Sequence, residues 1–428
     1  MMYKLRKELI ISYILCVFFQ QLSWGQDLQR VRKTIDTLAS ASFWGRGYTF
    51  NGHELAAKFI AKEFKEIGLK NYAKNYLQTF PIDINTFPST PVLNIGEQKL
   101  VAGKDFIVQP ASVGATGKGN VYLLDSAFLY AENPSIATDI NFTNKVLVYE
   151  SKHEKKVFEL PKQLIKRLLQ APCWIKCSPK LTMSLSNEAY LPPTFELNSQ
   201  YLPQLKNDVA ITFALENQLL EKHTTQNVVA YKKGKEKPDS IIVFSAHYDH
   251  LGTLGKDAIF YGANDNASGI SMLLELARHY TANPSPYTVV FTAFGAEEAG
   301  LLGSKYFVEN SPFELSKIKL LVNLDLVGTG DDGLGIVNAT VFPQQFAVFD
   351  KINQEKKYFS KFIKRGKAAN SDHYFFTEKG VPSFFIYGLG GIQAYHDTDD
   401  KAATLPLTKY KEIFAIITEW VQQLTPKK

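Results

Sequence analysis

The chain has 428 residues, of which 45% are hydrophobic, and a formal net charge of +6. This length exceeds what one core of typical size needs, so we expect a large domain and a smaller one. The lysines are scattered and form no stripe interleaved with aromatic residues, which argues against a nucleic acid as partner.

The amino terminus has the three parts of a signal peptide. Basic residues at positions 4, 6 and 7 precede an apolar run from Leu9 to Phe19, and small residues at positions 23 and 25 follow. This order predicts a signal peptide over residues 1–25, cleaved before Gln26. The apolar run is shorter than the ~20 residues of a membrane-spanning helix. We therefore expect an exported protein, periplasmic or secreted, with no stable membrane insertion after cleavage.

Two amphipathic helices are predicted in residues 26–90, which we assign to the larger domain. Apolar residues recur at helical spacing from Leu28, and again from about His53 to Ile67, where Gly68 ends the second helix. Both helices are suited to cover a sheet. Arg46 stands between two glycines and could either approach the site or lie on the surface.

Residues 91–220 have a different character. Short β-type runs alternate with turn-rich segments there, which predicts a small β-rich domain inserted into the larger one. His153 has charged neighbours, so we expect it to be exposed to solvent. Cys173 and Cys177 are the cysteines that remain after cleavage. Export favours one local disulfide between them, and the absence of a neighbouring histidine argues against a cysteine zinc site.

Residues 221–428 alternate between strand and helix patterns. Strands made of continuous apolar residues alternate with amphipathic helices, which predicts an α/β fold whose mostly parallel mixed sheet has helices on both faces. The predicted strands cover residues 227–234, 241–252, 287–300, 318–328 and 381–390, and the predicted helices cover residues 268–280, 301–310 and 407–424.

Five residues of metal-binding type follow these strands or lie in a Gly/Asn-rich loop: His247, Asp265, Glu298, Asp325 and His396. In an open α/β sheet, ligands bind at the carboxyl ends of the strands. Two imidazoles and three carboxylates are too many for one catalytic ion, but they suit two ions that share a bridging carboxylate. Nitrogen and oxygen ligands without thiolate favour zinc.

Three further residues have predicted catalytic or supporting roles. Glu297 adjoins Glu298 and can take a proton from the attacking water, while Asp249 can accept the second N–H of the His247 imidazole. Tyr395 can donate a hydrogen bond to a developing oxyanion. Among the other histidines, we interpret His250 and His279 as structural, and His373 as either lining or bracing the site.

The chain resembles the family-28 metallopeptidases, the co-catalytic di-zinc aminopeptidases. The resemblance rests on the segments AHYDHLG (246–252), GANDNASG (262–269), FGAEEAGLLGS (294–304), NLDLVG (323–328), SDHYFF (371–376) and YHDTDD (395–400). One departure is Lys401, where the family commonly has threonine. The resemblance implies that the inserted domain is of the protease-associated type.

By this resemblance, one zinc would be bound by His247 and Asp325, the other by Glu298 and His396, and Asp265 would bridge them. Glu297 would be the general base. The predicted function is removal of amino-terminal residues from peptides by a metal-bridged hydroxide. The alternatives are a glutaminyl cyclase with one zinc, a carboxypeptidase or dipeptidase for acidic peptides, and a non-catalytic binding protein. The sequence does not determine the side-chain preference or the oligomeric state.

Overall fold

The structure is a computed structural model that describes residues 26–132 and 140–424. The predicted signal peptide lies outside the described residues. The α-helices of the described part are α1 Leu28–Leu38, α2 Gly52–Ile67, α3 Ser126–Leu129, α4 Glu154–Phe158, α5 Lys162–Leu168, α6 Gly269–Ala282, α7 Leu302–Glu309, α8 Pro343–Lys356, α9 Tyr374–Glu378 and α10 Tyr410–Leu424. None of the helices in this part combines the length and apolar character needed to cross a membrane.

The strands fall into two large sheets and one hairpin. They are β1 Lys70–Asn71, β2 Leu77–Thr86, β3 Val92–Ile95, β4 Gln98–Lys99, β5 Phe106–Val108, β6 Ala115–Leu123, β7 Lys145–Glu150, β8 Cys173–Ser178, β9 Thr194–Asn198, β10 Ala210–Leu215, β11 Gln218–Lys232, β12 Lys237–His247, β13 Thr253–Leu254, β14 Ala258–Ile259, β15 Tyr287–Phe294, β16 Ile318–Leu324, β17 Gly333–Val337, β18 Phe362–Lys364 and β19 Ser383–Leu389.

The main sheet has a parallel centre and antiparallel flanks. Its strand order is β1-β11-β15-β12-β16-β19-β17-β18, and β2 also pairs with β11. Strands β15, β12, β16 and β19 run parallel to one another, whereas β11 and β17 pair antiparallel with the parallel group. The carboxyl ends of the four central strands therefore meet along one edge of the sheet.

Both faces of the main sheet are buried. On β12, Ile242 and Phe244 pack into a core with helices α1, α2, α6 and α10, whereas Ile241 and Val243 pack into a second core with α7 and α9. Successive side chains of a strand point to opposite faces, so continuous apolar runs are stable only where both faces are covered. The predicted α/β fold is confirmed.

The sequence analysis assigns no element to residues 333–364, where the structure has β17, α8 and β18. The two strands have five and three residues, too few to establish an alternating pattern. In α8 only three residues are buried, namely Phe346, Phe349 and Ile352. The tertiary contacts of these elements, rather than their local patterns, account for their conformation.

A second sheet is formed by strands between residues 92 and 215, within the segment predicted as an inserted domain. Its order is β4-β3-β10-β6-β7-β8-β9-β5. The chain passes from β2 into this second sheet and returns from it to β11. Strands β2 and β11 pair antiparallel with each other and belong to the main sheet. Its core also includes Leu251, Leu254 and Phe260 from the larger domain. The two sheets therefore share buried contacts.

Two predictions for the inserted segment are wrong. Cys173 and Cys177 are free and buried, and they lie four residues apart on β8. At ~3.3 Å per residue, their Cα atoms are about 13 Å apart, beyond the ~7 Å limit of a disulfide. His153 is buried rather than exposed, since its side chain packs beside Tyr130, whose hydroxyl lies 3.3 Å from Nδ1.

Candidate metal centre

The predicted metal ligands lie together at the carboxyl edge of the parallel strands. His247 is the last residue of β12, Glu298 follows β15 in a turn, and Asp325 directly follows β16. Asp265 belongs to the irregular segment Ala263–Ser268 that leads into α6. His396 lies in the loop after β19. Residues far apart in sequence thus meet because each parallel strand delivers its last residues to the same edge.

Asp265 stands between two groups of ligands. Its Oδ1 lies 3.2 Å from Nε2 of His247, which is 3.3 Å from Oδ1 of Asp325. Its Oδ2 lies 3.1 Å from Nε2 of His396, which is 3.3 Å from Oε2 of Glu298. Each carboxylate oxygen of Asp265 therefore faces a different histidine.

This donor set fits divalent ions of the zinc type. Ligand atoms of His247, Asp265 and Asp325 all lie within 4.8 Å of one another. Zinc–ligand bonds of ~2.0–2.2 Å in a tetrahedron place the ligand atoms about 3.3 Å apart, which agrees with the observed separations. Imidazole and carboxylate donors without thiolate match the preference of zinc.

The electrostatics of the site also favour a bound cation. Burial lowers the pKa of His247, but the carboxylates of Asp325, Glu297 and Asp265 outweigh burial and raise this pKa well above its usual value. Burial likewise opposes the charge of His396, yet Glu298 and Asp265 raise its pKa to about 11. The cluster therefore has a strongly negative potential that a metal ion would neutralise.

Backbone carbonyls set the tautomer of both histidines. Nδ1 of His247 lies 3.1 Å from the carbonyl oxygen of Asp249, and Nδ1 of His396 lies 2.9 Å from that of Met183. A carbonyl oxygen only accepts, so each Nδ1 carries a proton, and Nε2 is the nitrogen of each ring that a metal ion would bind in place of a proton. Met183 belongs to the inserted segment, and its own N–H donates to the carbonyl of His396 at 2.9 Å. The inserted segment thus orients a predicted ligand.

The Asp249 carboxylate has a different partner from the one predicted. It is 3.9 Å from Nδ1 of His247, farther than the carbonyl oxygen of the same residue. Instead it accepts the backbone N–H groups of Glu297 and Glu298, at 3.1 and 3.3 Å. Burial raises its pKa to about 6 despite the opposing effect of His247. Asp249 thus fixes the turn that carries both glutamates.

The two adjacent glutamates have opposite electrostatic environments. Burial raises the pKa of Glu297 well above its usual value, although His247 opposes this shift. For Glu298, burial and Asp265 act in the same direction, but the charge and hydrogen bonds of His396 and His250 outweigh them and lower the pKa to about 2. Glu298 therefore stays ionised, as a metal ligand must be, whereas Glu297 holds a proton more readily than its neighbour, as suits a group that accepts and returns one.

His250 belongs to the site, although the sequence analysis leaves it out. It is fully buried, and its Nδ1 lies 2.9 Å from Oε1 of Glu298 and 4.0 Å from Oδ1 of Asp265. Its Nε2 is buried without a hydrogen-bond partner. The position of His250, three residues beyond His247 at the end of the same strand, is the one sequence signal that could have found it.

Buried polar residues brace the ligands from outside. The hydroxyl of Ser371 donates to Oδ2 of Asp325 at 2.9 Å. The carboxylate of Asp400, which the sequence analysis does not single out as a site residue, accepts the N–H groups of Asn264 and Asp265 at 2.8 and 2.9 Å. These contacts hold Asp325 and Asp265 in position.

Arg46 is buried completely, so the surface placement left open by the sequence is wrong. Its guanidinium donates to the carbonyl oxygens of Leu38, Tyr248, Tyr261, Gly262 and Asp265, at 2.7–3.1 Å. Burial lowers its pKa to about 10, so Arg46 stays charged at neutral pH. It ties the segment after α1 to the loop that carries Asp265.

The ligands open into a cavity of about 240 Å³, and one further predicted residue lies at its rim. Tyr395 lines the cavity, is 42% exposed and stacks on the His396 ring with centroids 4.0 Å apart. His373 does not line the cavity itself but is buried against Phe385, which does. The remaining wall is formed by Leu326, Arg365, Asn370, Phe385 and Tyr387.

Comparison with known proteins gives the same family for the segment that carries this centre. Residues 227–421 match the model of peptidase family M28. Aminopeptidase YwaD of Bacillus subtilis (strain 168) is 33% identical over 215 residues, which are 48% of this chain and 46% of YwaD. A probable zinc metalloprotease of Pyricularia oryzae is 37% identical over 111 residues, 26% of this chain and 22% of that protein.

Solved structures share the fold over nearly the whole chain. BSAP, a zinc aminopeptidase from Bacillus subtilis, aligns with a TM-score of 0.68 and 21% identity, covering 94% of this chain and 95% of that one. A peptidase M28 precursor from Shewanella amazonensis SB2B aligns with a TM-score of 0.65 and 16% identity, covering 93% and 97%.

Residues 227–421 therefore resemble peptidase family M28, and this matched segment includes all five predicted metal ligands. The matched segments span less than half the length of the two curated relatives.

Proposed function

We propose that the protein is an exported zinc-dependent aminopeptidase that removes amino-terminal residues from peptides. The observation that carries the proposal is the pair of ligand groups that share Asp265, beside the half-buried Glu297 that lines the same cavity. The M28 family and the aminopeptidase named among its relatives support the same activity. Export rests on the pattern of residues 1–25 alone.

Two zinc ions per chain would be held by the five ligands. His247 and Asp325 would bind one ion, Glu298 and His396 the other, and Asp265 both. Bound zinc lowers the pKa of water to about 7 and polarises a carbonyl oxygen. Zinc with open coordination positions is typical of hydrolytic sites.

The residues of the chain would divide the proton transfers and charge stabilisation between them. The Glu297 carboxylate takes a proton from the attacking water and delivers it to the nitrogen of the leaving amine. The Tyr395 hydroxyl donates a hydrogen bond to the scissile carbonyl oxygen as negative charge develops there. Asp249 holds the turn that contains both glutamates, so that the Glu297 carboxylate faces the water and the Glu298 carboxylate faces the metal.

The test uses the protein from Gln26 onward, a panel of amino-acid anilides, peptides with amino-terminal glutamine, and zinc analysis. We expect release of the amino-terminal residue, loss of release with a chelator, and about two zinc ions per chain. One zinc ion with ring closure of glutamine would make the protein a cyclase instead. Release from the carboxyl end would make it a carboxypeptidase, and absence of both metal and turnover would indicate a binding protein.

A further inference from the structure

One residue of the cavity wall has a permanent positive charge. Among the described residues that line the cavity, Arg365 is the only arginine or lysine. It directly follows β18, and its backbone N–H donates to the carbonyl of Ile336 on β17 at 2.9 Å. The predicted general base and the metal ligands form another part of the same wall.

The guanidinium of Arg365 is held in place by a neighbouring aromatic ring. Its Nη1 donates to the hydroxyl of Tyr387 at 3.2 Å, and the guanidinium carbon lies 5.9 Å from the centre of that ring. The ring in turn lies across Gly335 on the adjacent strand, where a Cβ atom would be 2.0 Å from it. Because Gly335 has no side chain, the Tyr387 ring can occupy this position and contact the Arg365 guanidinium.

Arg365 has no carboxylate partner in the described part of the chain. Its side-chain contacts there are with Tyr387. Nearby lysines are neutralised instead, since Lys364 lies 3.0 Å from Asp350 and Lys367 pairs with Glu378. A half-buried guanidinium without a counter-ion, held at the wall of a cavity, is suited to bind an anion that enters the cavity.

We propose that Arg365 binds a carboxylate of the peptide substrate, an inference that rests on the proposed peptidase function. The carboxylate has two possible sources, an acidic side chain on the residue removed or the free carboxyl terminus of a short peptide. Both present the same planar pair of oxygens to the guanidinium fork. The apolar side chains of Leu326 and Phe385 on the same wall would contact the carbon atoms next to that carboxylate.

The experiment compares substrates that differ only in the charged group. The ratio of kcat/KM for glutamyl anilide to that for glutaminyl anilide reports an acidic side chain. The ratio for free dipeptides to that for their carboxyl-terminal amides reports a terminal carboxylate. We expect Arg365→Gln to lower one of these ratios about 10- to 100-fold, as loss of a charge-assisted hydrogen bond would. Arg365→Lys, which keeps the charge without the fork, should lower the same ratio less.

Lys364→Gln is the matched control, because it removes the same charge one residue away, on a side chain that pairs with Asp350. Zinc content and thermal unfolding of each variant establish that it is folded. A fall of either ratio in Arg365→Gln alone supports the inference and identifies the source of the carboxylate. Unchanged ratios in a folded, active Arg365→Gln overturn the inference and leave the peptidase function intact. If the unmodified protein releases no residue from any substrate, the proposed function itself is wrong.

Discussion

Two neighbouring glutamates in one turn have opposite electrostatic environments in this site. Glu297 and Glu298 are consecutive, but only Glu298 faces His396 and His250, so only its carboxylate is stabilised in the ionised form. We expect Glu297→Gln to lower kcat by at least about 10²-fold, because the amide cannot accept the proton of the attacking water. Zinc content should stay nearly unchanged. Steady-state kinetics together with metal analysis measure both quantities.

Glu298→Gln is the matched comparison, since the same chemical change one residue later removes a predicted ligand. We expect this variant to lose bound zinc as well as activity. A Glu297→Gln protein with normal turnover would show that Glu297 is not the base. Equal zinc loss in both variants would show that the two side chains do not divide the roles.

His250 offers a second prediction at this scale. Its Nδ1 contacts Oε1 of Glu298, so we expect His250→Ala to weaken zinc binding about 10- to 100-fold, as loss of a partner that orients a ligand usually does. His250→Asn should retain more affinity, because its amide can replace the Nδ1–H donor. Competition with a chelator of known affinity measures the change. Equal affinities in all three proteins would exclude a role for His250 in positioning Glu298.

At the scale of single elements, a buried histidine at the start of helix α2 makes the stability of the folded protein depend on pH. His53 lies in the first turn of α2, and its Nε2 is 3.2 Å from Nε2 of His223 on β11. Its Nδ1 is 3.3 Å from the carbonyl of Gly47, and the ring of Tyr48 lies over it. Burial and the neighbouring His223 lower the pKa of His53 to about 4. The folded protein therefore contains the neutral imidazole at neutral pH.

The sign of the pH dependence follows from this shift. Because the unfolded chain binds a proton at His53 near pH 6.5 and the folded chain near pH 4, the unfolded state gains stability as the pH falls between these values. The contribution between pH 7 and pH 5 is about 2 kcal/mol. We expect His53→Gln to remove this part of the pH dependence. Urea unfolding of the metal-free proteins at pH 5 and pH 7 measures the free energy of unfolding. The same difference between the two pH values in the variant and in the unmodified protein would contradict the prediction.

At the scale of the whole molecule, the inserted segment and the main sheet form one structural unit around the metal centre. Two hydrogen bonds link them. Nδ1 of His396 donates to the carbonyl of Met183, and the N–H of Met183 donates to the carbonyl of His396. Further contacts join the same two regions, including Lys180 with the carbonyl of Gln393 and Thr398 with that of Gly103. A change at the metal centre should therefore affect the inserted segment.

Metal removal tests this coupling. We expect the backbone amide of Met183 to exchange its hydrogen at least about tenfold faster in chelator-treated protein than in the zinc-loaded protein, since bound metal stabilises the arrangement in which His396 accepts that hydrogen bond. The amides of β7, in the centre of the second sheet, should change little by comparison. Hydrogen exchange read by mass spectrometry or NMR measures both. Equal exchange at Met183 in the two forms would show that the inserted segment does not respond to the metal.

The sequence by itself determined the class of fold and the residue types at the site. Buried parallel strands are visible as continuous apolar runs, because both of their faces are covered. Acidic residues and histidines directly after such runs are conspicuous, since burial of an unpaired charge is costly. Five predicted ligands therefore lie together as the strand order requires.

Only the tertiary structure decided which partners these residues meet. The burial of Arg46 depends on carbonyl groups up to 219 residues away along the chain, and the contact of His250 with Glu298 joins residues 48 apart. The carbonyl that orients His396 comes from a segment whose sequence shows no sign of a metal site. Periodicity reports which face of an element is buried, but hydrogen-bond partners depend on how separate elements pack in space, and no local pattern contains that information.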